Sequence, residues 1–280
     1  MPDCNHSAVP ADPAPAWQAT LRLGFARDGA TTRLLRREHR GPLRVQKALY
    51  PEGPQHCHVI VVHPPGGVVG GDRLDIALDA GAGCRVLATS PGAAKWYRAN
   101  GRVSRQDVRL RVAEGGAIEW LPQETIVYDD ASVELEHEVE LGAGAVYLGS
   151  EVLCFGRQAS GERFVRGQVR QRTRIRQDGR LLWWEQGALT PAAIASPLGL
   201  HGASVCATFL AVGKPVPPAL QAAMRAQDPQ LALSQVKSVF VARHVGDDGE
   251  AARAAMLRVW QALRRHYLDR PACVPRIWHT

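Results

Sequence analysis

The chain contains no C-x-x-C pair, although six cysteines are scattered along it: Cys4, Cys57, Cys84, Cys154, Cys206 and Cys273. Isolated thiols of this kind argue against a disulfide frame and set the expectation of a reducing, cytoplasmic setting. The N-terminus shows no basic segment followed by an apolar run, so it does not read as a secretory signal. No apolar stretch approaches the roughly 20 residues that span a bilayer, and a soluble protein outside the membrane is expected. Lysine is scarce, with thirty of the thirty-four basic residues being arginine. Beside so much alanine and glycine, this usage fits a GC-rich genome, so the formal charge of +7 does not by itself assign an acidic partner. Catalytic signatures are missing too: there is no Gly-x-Ser-x-Gly elbow, and isolated cysteines define no Cys–His pair. The chain does not read as an enzyme.

What the chain does hold is 280 residues that are 45% apolar, enough to bury a core. The opening "MPDCNHSAVPADPAPAW" is polar, proline-spaced and aperiodic, so residues 1–16 are expected to form a disordered leader with order starting at Trp17. From there a local grammar recurs, with a period-two segment, a glycine turn and a second extended segment. Leu74, Ile76 and Leu78 alternate before "AGAG"; Val108, Leu110 and Val112 before "EGG". Val133, Leu135, Val139 and Leu141 precede "GAGAVYLG", and Val165, Val169, Thr173 and Ile175 precede "QDGRLLWW". Alternation buries one face and glycine permits positive φ, so these read as antiparallel strands joined by tight turns. The expected fold is mainly β, an antiparallel body of stacked layers, a sandwich or an irregular solenoid over residues 17–212, with a β/α part over 213–280 carrying two helices. "PPALQAAMRAQD" reads as the first helix. The second opens at Asp247 with Glu250 and carries the apolar stripe Ala252, Met256, Val259, Leu263 and Tyr267.

Several motifs invite chemistry. "HPPGGVVGGDRLDI" and "SPGAAKW" resemble phosphate loops, but no Ser or Thr follows Lys95 to hold magnesium. A period-two strand, not a helix N-terminus, follows "GGVVGGD", so a rigid strand-to-strand turn is the better reading. His56, Cys57, His58 and His63 lie close in sequence and suit nickel, copper or zinc. In an extended segment His56 and His58 share one face while Cys57 points to the other, which leaves at most a transient site. Arg170, Arg172, Arg174 and Arg176 share one face of a strand and form a guanidinium ladder. Such a ladder suits phosphates or a partner's carboxylates, or serves as a solvated edge. A basic β-rich nucleic-acid-binding protein is the alternative it suggests; it lacks interleaved aromatic platforms.

Five separated blocks in order, "GPLRVQKALYPEGPQHCHVIVVHPPGGVVGGDRLDI", "TSPGAAKWYRA", "WLPQETIVYDDA", "GRQASGERF" and the terminal "PRIWHT", resemble the urease accessory protein UreD (UreH) family. The resemblance runs collinearly from about Trp17 to the C-terminus, as a single domain. His279 departs from it, standing where asparagine is most common, and His56 lies outside the shared pattern. The resemblance implies a β-rich superhelical body with two C-terminal helices. It also implies a non-enzymatic scaffold that binds urease apoprotein and UreF, and through UreF the GTPase UreG, so that nickel reaches the urease active site. No permanently bound cofactor is implied, only nickel(II) in transit.

Joining the two lines gives specific residues. Asp72 follows a rigid turn at the entrance of a buried strand, and Glu185 sits in the apolar setting "LLWWEQ". A buried carboxylate is costly unless paired, hydrated or met by a cation, so both are expected to line a polar internal route for nickel. His58 and His63 are weaker metal candidates. Trp260, Tyr267, Ile277 and Trp278 supply aromatic and aliphatic anchors for docking UreF, with core packing as the rival reading for Trp260.

Overall fold

The computed structural model of the chain describes residues 16–279, so the leader expected over residues 1–16 lies outside the described residues except for Ala16. Strands β1 (Gln18–Asp28) and β2 (Thr31–Arg40) pair antiparallel. They lead into β3 (Arg44–Val45), β4 (His56–Val62), β5 (Arg73–Ala80), β6 (Arg85–Thr89) and β7 (Ala94–Trp96). β8 (Ser104–Val112), β9 (Ala117–Leu121), β10 (Thr125–Val127), β11 (Ala131–Leu141) and β12 (Val146–Phe155) follow. The chain continues through β13 (Gly167–Gln177), β14 (Arg180–Leu189), the short helix α1 (Pro191–Ala195) and β15 (Val205–Val212). Helix α2 (Pro218–Gln227), the pair β16 (Ala232–Val236) and β17 (Val239–Gly246), and helix α3 (Gly249–Leu268) close the fold.

Two sheets face each other. The smaller runs β14-β13-β11-β8-β5-β1-β2, and the larger runs β16-β17-β15-β12-β9-β6-β4-β3, with β10 and β7 branching from β12. The mainly β, layered body matches the sequence reading, but the strand pairing departs from it. β5, β8, β11 and β13 are parallel neighbours, as are β4, β6, β9 and β12. Three of the four glycine turns are therefore arches that carry the chain from one sheet to the other, in the manner of a β-solenoid. Only the turn between Gln177 and Arg180 closes an antiparallel hairpin. The reason is physical: period-two alternation decides which face of a strand is buried and says nothing about which strand lies beside it. The arches stack, with Gly83 N–H donating to the Glu114 carbonyl and Gly115 N–H to the Ala143 carbonyl, each at 2.9 Å. Gly83, Gly115 and Gly144 occupy the same place in successive arches at φ near +60°, a conformation that glycine adopts without a Cβ clash.

The inner faces of the sheets form one apolar core, from Leu21 and Leu23 on β1 through Ile175 on β13. A second core lies on the far side of the larger sheet, where Met256, Val259, Trp260 and Leu263 of α3 cover it. All five residues of the stripe read for the final helix are buried. Its cap is shifted by one residue: Asp248 accepts from the N–H groups of Glu250 and Ala251, while Asp247 holds Ser204. "LSQVKSVFVARHV", which reads as one strand, is the β16–β17 hairpin, turning at Lys237 with φ of 54°.

Candidate functional site

A cavity of about 290 Å³ lies between the two sheets, where the apolar core is interrupted by polar side chains. Period-two geometry places His137 of β11, Tyr147 and Glu151 of β12, Gln171 and Thr173 of β13 and Glu185 of β14 on its wall. His137 Nε2 lies 2.8 Å from the Tyr147 hydroxyl. Burial pushes the His137 imidazole down to about 4, so it is neutral at physiological pH, and the same burial pushes the Tyr147 phenol up. The Glu151 carboxyl is pushed up to about 7, first by burial and then by the nearby Glu185 carboxylate; a hydrogen bond from Gln171 opposes the shift. Glu185 is held at 2.5 Å by Arg243 of β17, so this ion pair ties the smaller sheet to the larger one. The wall thus offers a neutral imidazole and two carboxylates, one of them balanced between its charged and neutral forms. Oxygen and imidazole donors suit divalent first-row metals. Thiolates are not on offer: burial pushes the thiols of Cys57, Cys154 and Cys206 up, Cys57 to about 11 and the other two to about 12. Among the described residues no group of three or more His, Cys, Asp or Glu stands close enough to cage an ion.

The residues expected from sequence divide sharply. Glu185 is on the cavity wall. Asp72 is buried but outside the lining, and both of its oxygens are occupied by the backbone: Oδ1 accepts from Trp17 N–H at 2.9 Å and Oδ2 from Val69 N–H at 3.1 Å. The carboxylate thus fastens the turn between β4 and β5 and anchors the start of β1. Asp72→Ala should leave two backbone amides without an acceptor and cost about 1–3 kcal/mol, with Asp72→Asn losing less. Matching urea midpoints for wild type and the alanine variant would refute this clamp.

His58 and His63 are not brought together. His63 is at the cavity mouth near Gly66 and Gly67, and burial lowers its pKa against the opposing pull of Asp72. His58 faces the other side of the larger sheet, where its Nε2 lies 2.6 Å from Glu52. There it joins a buried polar network beneath α3. The Arg264 guanidinium, 0% exposed, contacts Glu119 at 2.9 Å and Glu52 at 2.6 Å. His56 Nε2 lies 3.0 Å from Glu119, and Trp260 donates its Nε1–H to Glu119 at 2.6 Å. Burial would raise the Glu52 pKa, but hydrogen bonds from His58 and Arg264 outweigh it and hold the carboxyl down to about 2.

Two groups expected to meet partners are corrected by their surroundings. Trp260, 1% exposed, and Tyr267, 7% exposed, are core residues and present no docking surface. Trp278 and Ile277 are half-buried in the C-terminal turn, with Trp278 Nε1–H donating to Thr89 at 2.8 Å and its ring 5.9 Å from that of Trp260. The guanidinium ladder is also engaged. Parallel register sets Glu134, Glu136, Glu138 and Glu140 of β11 beside Arg170, Arg172, Arg174 and Arg176 of β13, and each arginine meets its glutamate. A ladder neutralised in this way lacks the free positive charge that a nucleic-acid surface requires.

Residues 18–279 match the UreD urease accessory protein family. The chain belongs to this family. A urease accessory protein UreD of Janthinobacterium sp. (strain Marseille) is 52% identical over 271 residues, covering 94% of this chain and 92% of the relative. The UreD proteins of Azoarcus sp. (strain BH72) and Nitrosospira multiformis are 49% and 48% identical, covering 95% and 94% of this chain and 95% and 98% of theirs. The chain is accordingly a urease accessory protein. Among the described residues of this family member no helix is long and apolar enough to cross a membrane. Sequence reasoning missed Glu151 and His137. His137 stands in the alternating segment of β11 at a core-facing position, where a polar residue was the available signal; Glu151 lies in β12, which does not alternate and is buried on both faces, so its sequence carried no such signal.

Proposed function

We propose that this chain is a non-catalytic scaffold of urease maturation, acting in the cytoplasm, that binds urease apoprotein and UreF, and through UreF the GTPase UreG. Nickel(II) passes along its inter-sheet cavity on the way to the urease active site. The observation that carries the reading is membership of the UreD family over residues 18–279. The cavity supports it, because its wall gathers carboxylate, imidazole and amide groups, paired with one another or with Arg243, inside an otherwise apolar core. Glu185 and Glu151 supply carboxylate oxygens, while His137 and His63 supply imidazole nitrogens. Neither carboxylate has the further donors that would cage an ion, which suits passage over retention. The C-terminal turn that carries the half-buried Ile277 and Trp278, rather than the buried Trp260 and Tyr267, docks UreF.

The test is co-expression of the urease structural and accessory genes with and without this chain. With it, urease should contain nickel and hydrolyse urea, and tagged chain should co-purify with apoprotein and UreF. Nickel-loaded, active urease in its absence would overturn the proposal.

A further inference from the structure

The two sheets end in four edges, and three of them are guarded. Strand β2 closes one side of the smaller sheet with Arg33, Arg36, Arg37, Glu38, His39 and Arg40, a charged edge that resists pairing with another chain. In the larger sheet the outermost strands are short: β3 has two residues and β16 has five. Strand β14 is different. It is ten residues long, reads "RLLWWEQGAL", and is the free edge of the smaller sheet. Its one acidic side chain, Glu185, turns inward to Arg243 and does not protect the edge.

The exposed side of β14 carries two large apolar side chains beside the polar Gln186. Leu181 is 45% exposed and Trp184 51% exposed, with the Trp184 ring held beneath the Arg174 guanidinium at 5.9 Å. Helix α1 follows β14 after Thr190, and in the loop beyond it Leu198 is fully exposed. Arg180 at the start of the strand is exposed and forms no ion pair among the described residues. A long, apolar, unguarded edge pairs readily with an extended segment through main-chain hydrogen bonds.

We infer that β14 is a strand-addition site, where an extended segment of a partner protein, apolar at alternate positions and acidic at the end that meets Arg180, extends the smaller sheet. The inference rests on the proposed scaffold role and takes urease apoprotein as that partner. A second copy of the chain is disfavoured as occupant by the net charge of +7 that each copy would bring.

The test uses the full chain co-expressed with urease apoprotein. Hydrogen exchange is followed over residues 180–189 in the free chain and in the complex, beside co-purification with Trp184→Asp, Arg180→Glu and, as a control at another edge, Val236→Asp. Outward amides of β14 should exchange freely in the free chain and gain protection in the complex. Trp184→Asp and Arg180→Glu should each lower recovered apoprotein roughly tenfold, equivalent to about 1.4 kcal/mol, with Val236→Asp unchanged. Both positions are exposed, and far-UV circular dichroism confirms the fold of each variant. Unchanged exchange over β14 in an intact complex, or undiminished capture by both variants, overturns the inference and leaves the scaffold reading standing. Protection already present in the free chain and rising with its concentration overturns it in favour of a second copy. Failure of the unmodified chain to capture apoprotein sinks the scaffold reading, and this inference with it.

Discussion

Arg264→Ala should destabilise the chain by about 3–5 kcal/mol, the range for removing one partner from a buried ion pair. The guanidinium is fully buried beneath α3, where it meets Glu119 and Glu52 and also donates to the Pro271 carbonyl. Its removal leaves the Glu119 carboxylate, itself 0% exposed, with only His56 and Trp260 to hold it. By contrast Arg172→Ala, in the half-exposed ladder, should cost about 0–1 kcal/mol, because solvent screens that pair. Urea unfolding of both variants checks the contrast; a loss below about 1 kcal/mol for Arg264→Ala would refute the clamp. The same network sets an acid limb. Glu52 has its carboxyl held down to about 2 when folded, so its stabilisation is fully present above the ordinary glutamate range near 4.5. It is lost as pH falls from there toward 2, and Glu52→Gln should flatten that limb.

Glu185→Ala should lower the nickel content and activity of co-expressed urease roughly tenfold or more while the accessory complex still assembles. Removing one charged ligand contact is worth about 1.5–3 kcal/mol, which is at least a tenfold change in occupancy. Because Glu185 also pairs with Arg243, the control is Arg243→Gln, which breaks the same inter-sheet contact and leaves the carboxylate in the cavity. If both variants lose nickel equally, Glu185 acts by joining the sheets; if neither loses any, the cavity is not the route. Glu151→Gln adds an independent probe, since this carboxyl lies across the same cavity and titrates near 7.

Part of this was legible in the residues alone. Alternation along "RLDIALDA" and "VELEHEVEL" places Leu74, Ile76, Leu135 and Val139 in a core, and the structure buries all four. The stripe on α3 was equally clear, as was the failure of the two glycine-rich turns as phosphate loops, because each of these is a local property of spacing. Family membership was visible for a related reason: five ordered blocks survive as strings whatever their contacts.

What remained hidden depends on neighbours distant in sequence. A glycine turn after an alternating strand permits a hairpin or an arch, and only stacking against the next coil of the solenoid selects the arch. Trp260 looked like a docking anchor because its partner, Glu119, is 141 residues away, and Asp72 looked free because the Trp17 amide that occupies it is 55 residues away. The arginine ladder looked available until parallel register set the glutamates of β11 beside it. Sequence by itself determined the mainly β class, the core-facing positions, the final helix and the family, since these follow from local periodicity and ordered motifs. Tertiary structure alone decided which charges are already paired, which carboxylates face the cavity and which strand edge stays open, because each of these is a contact between segments that the chain order does not join.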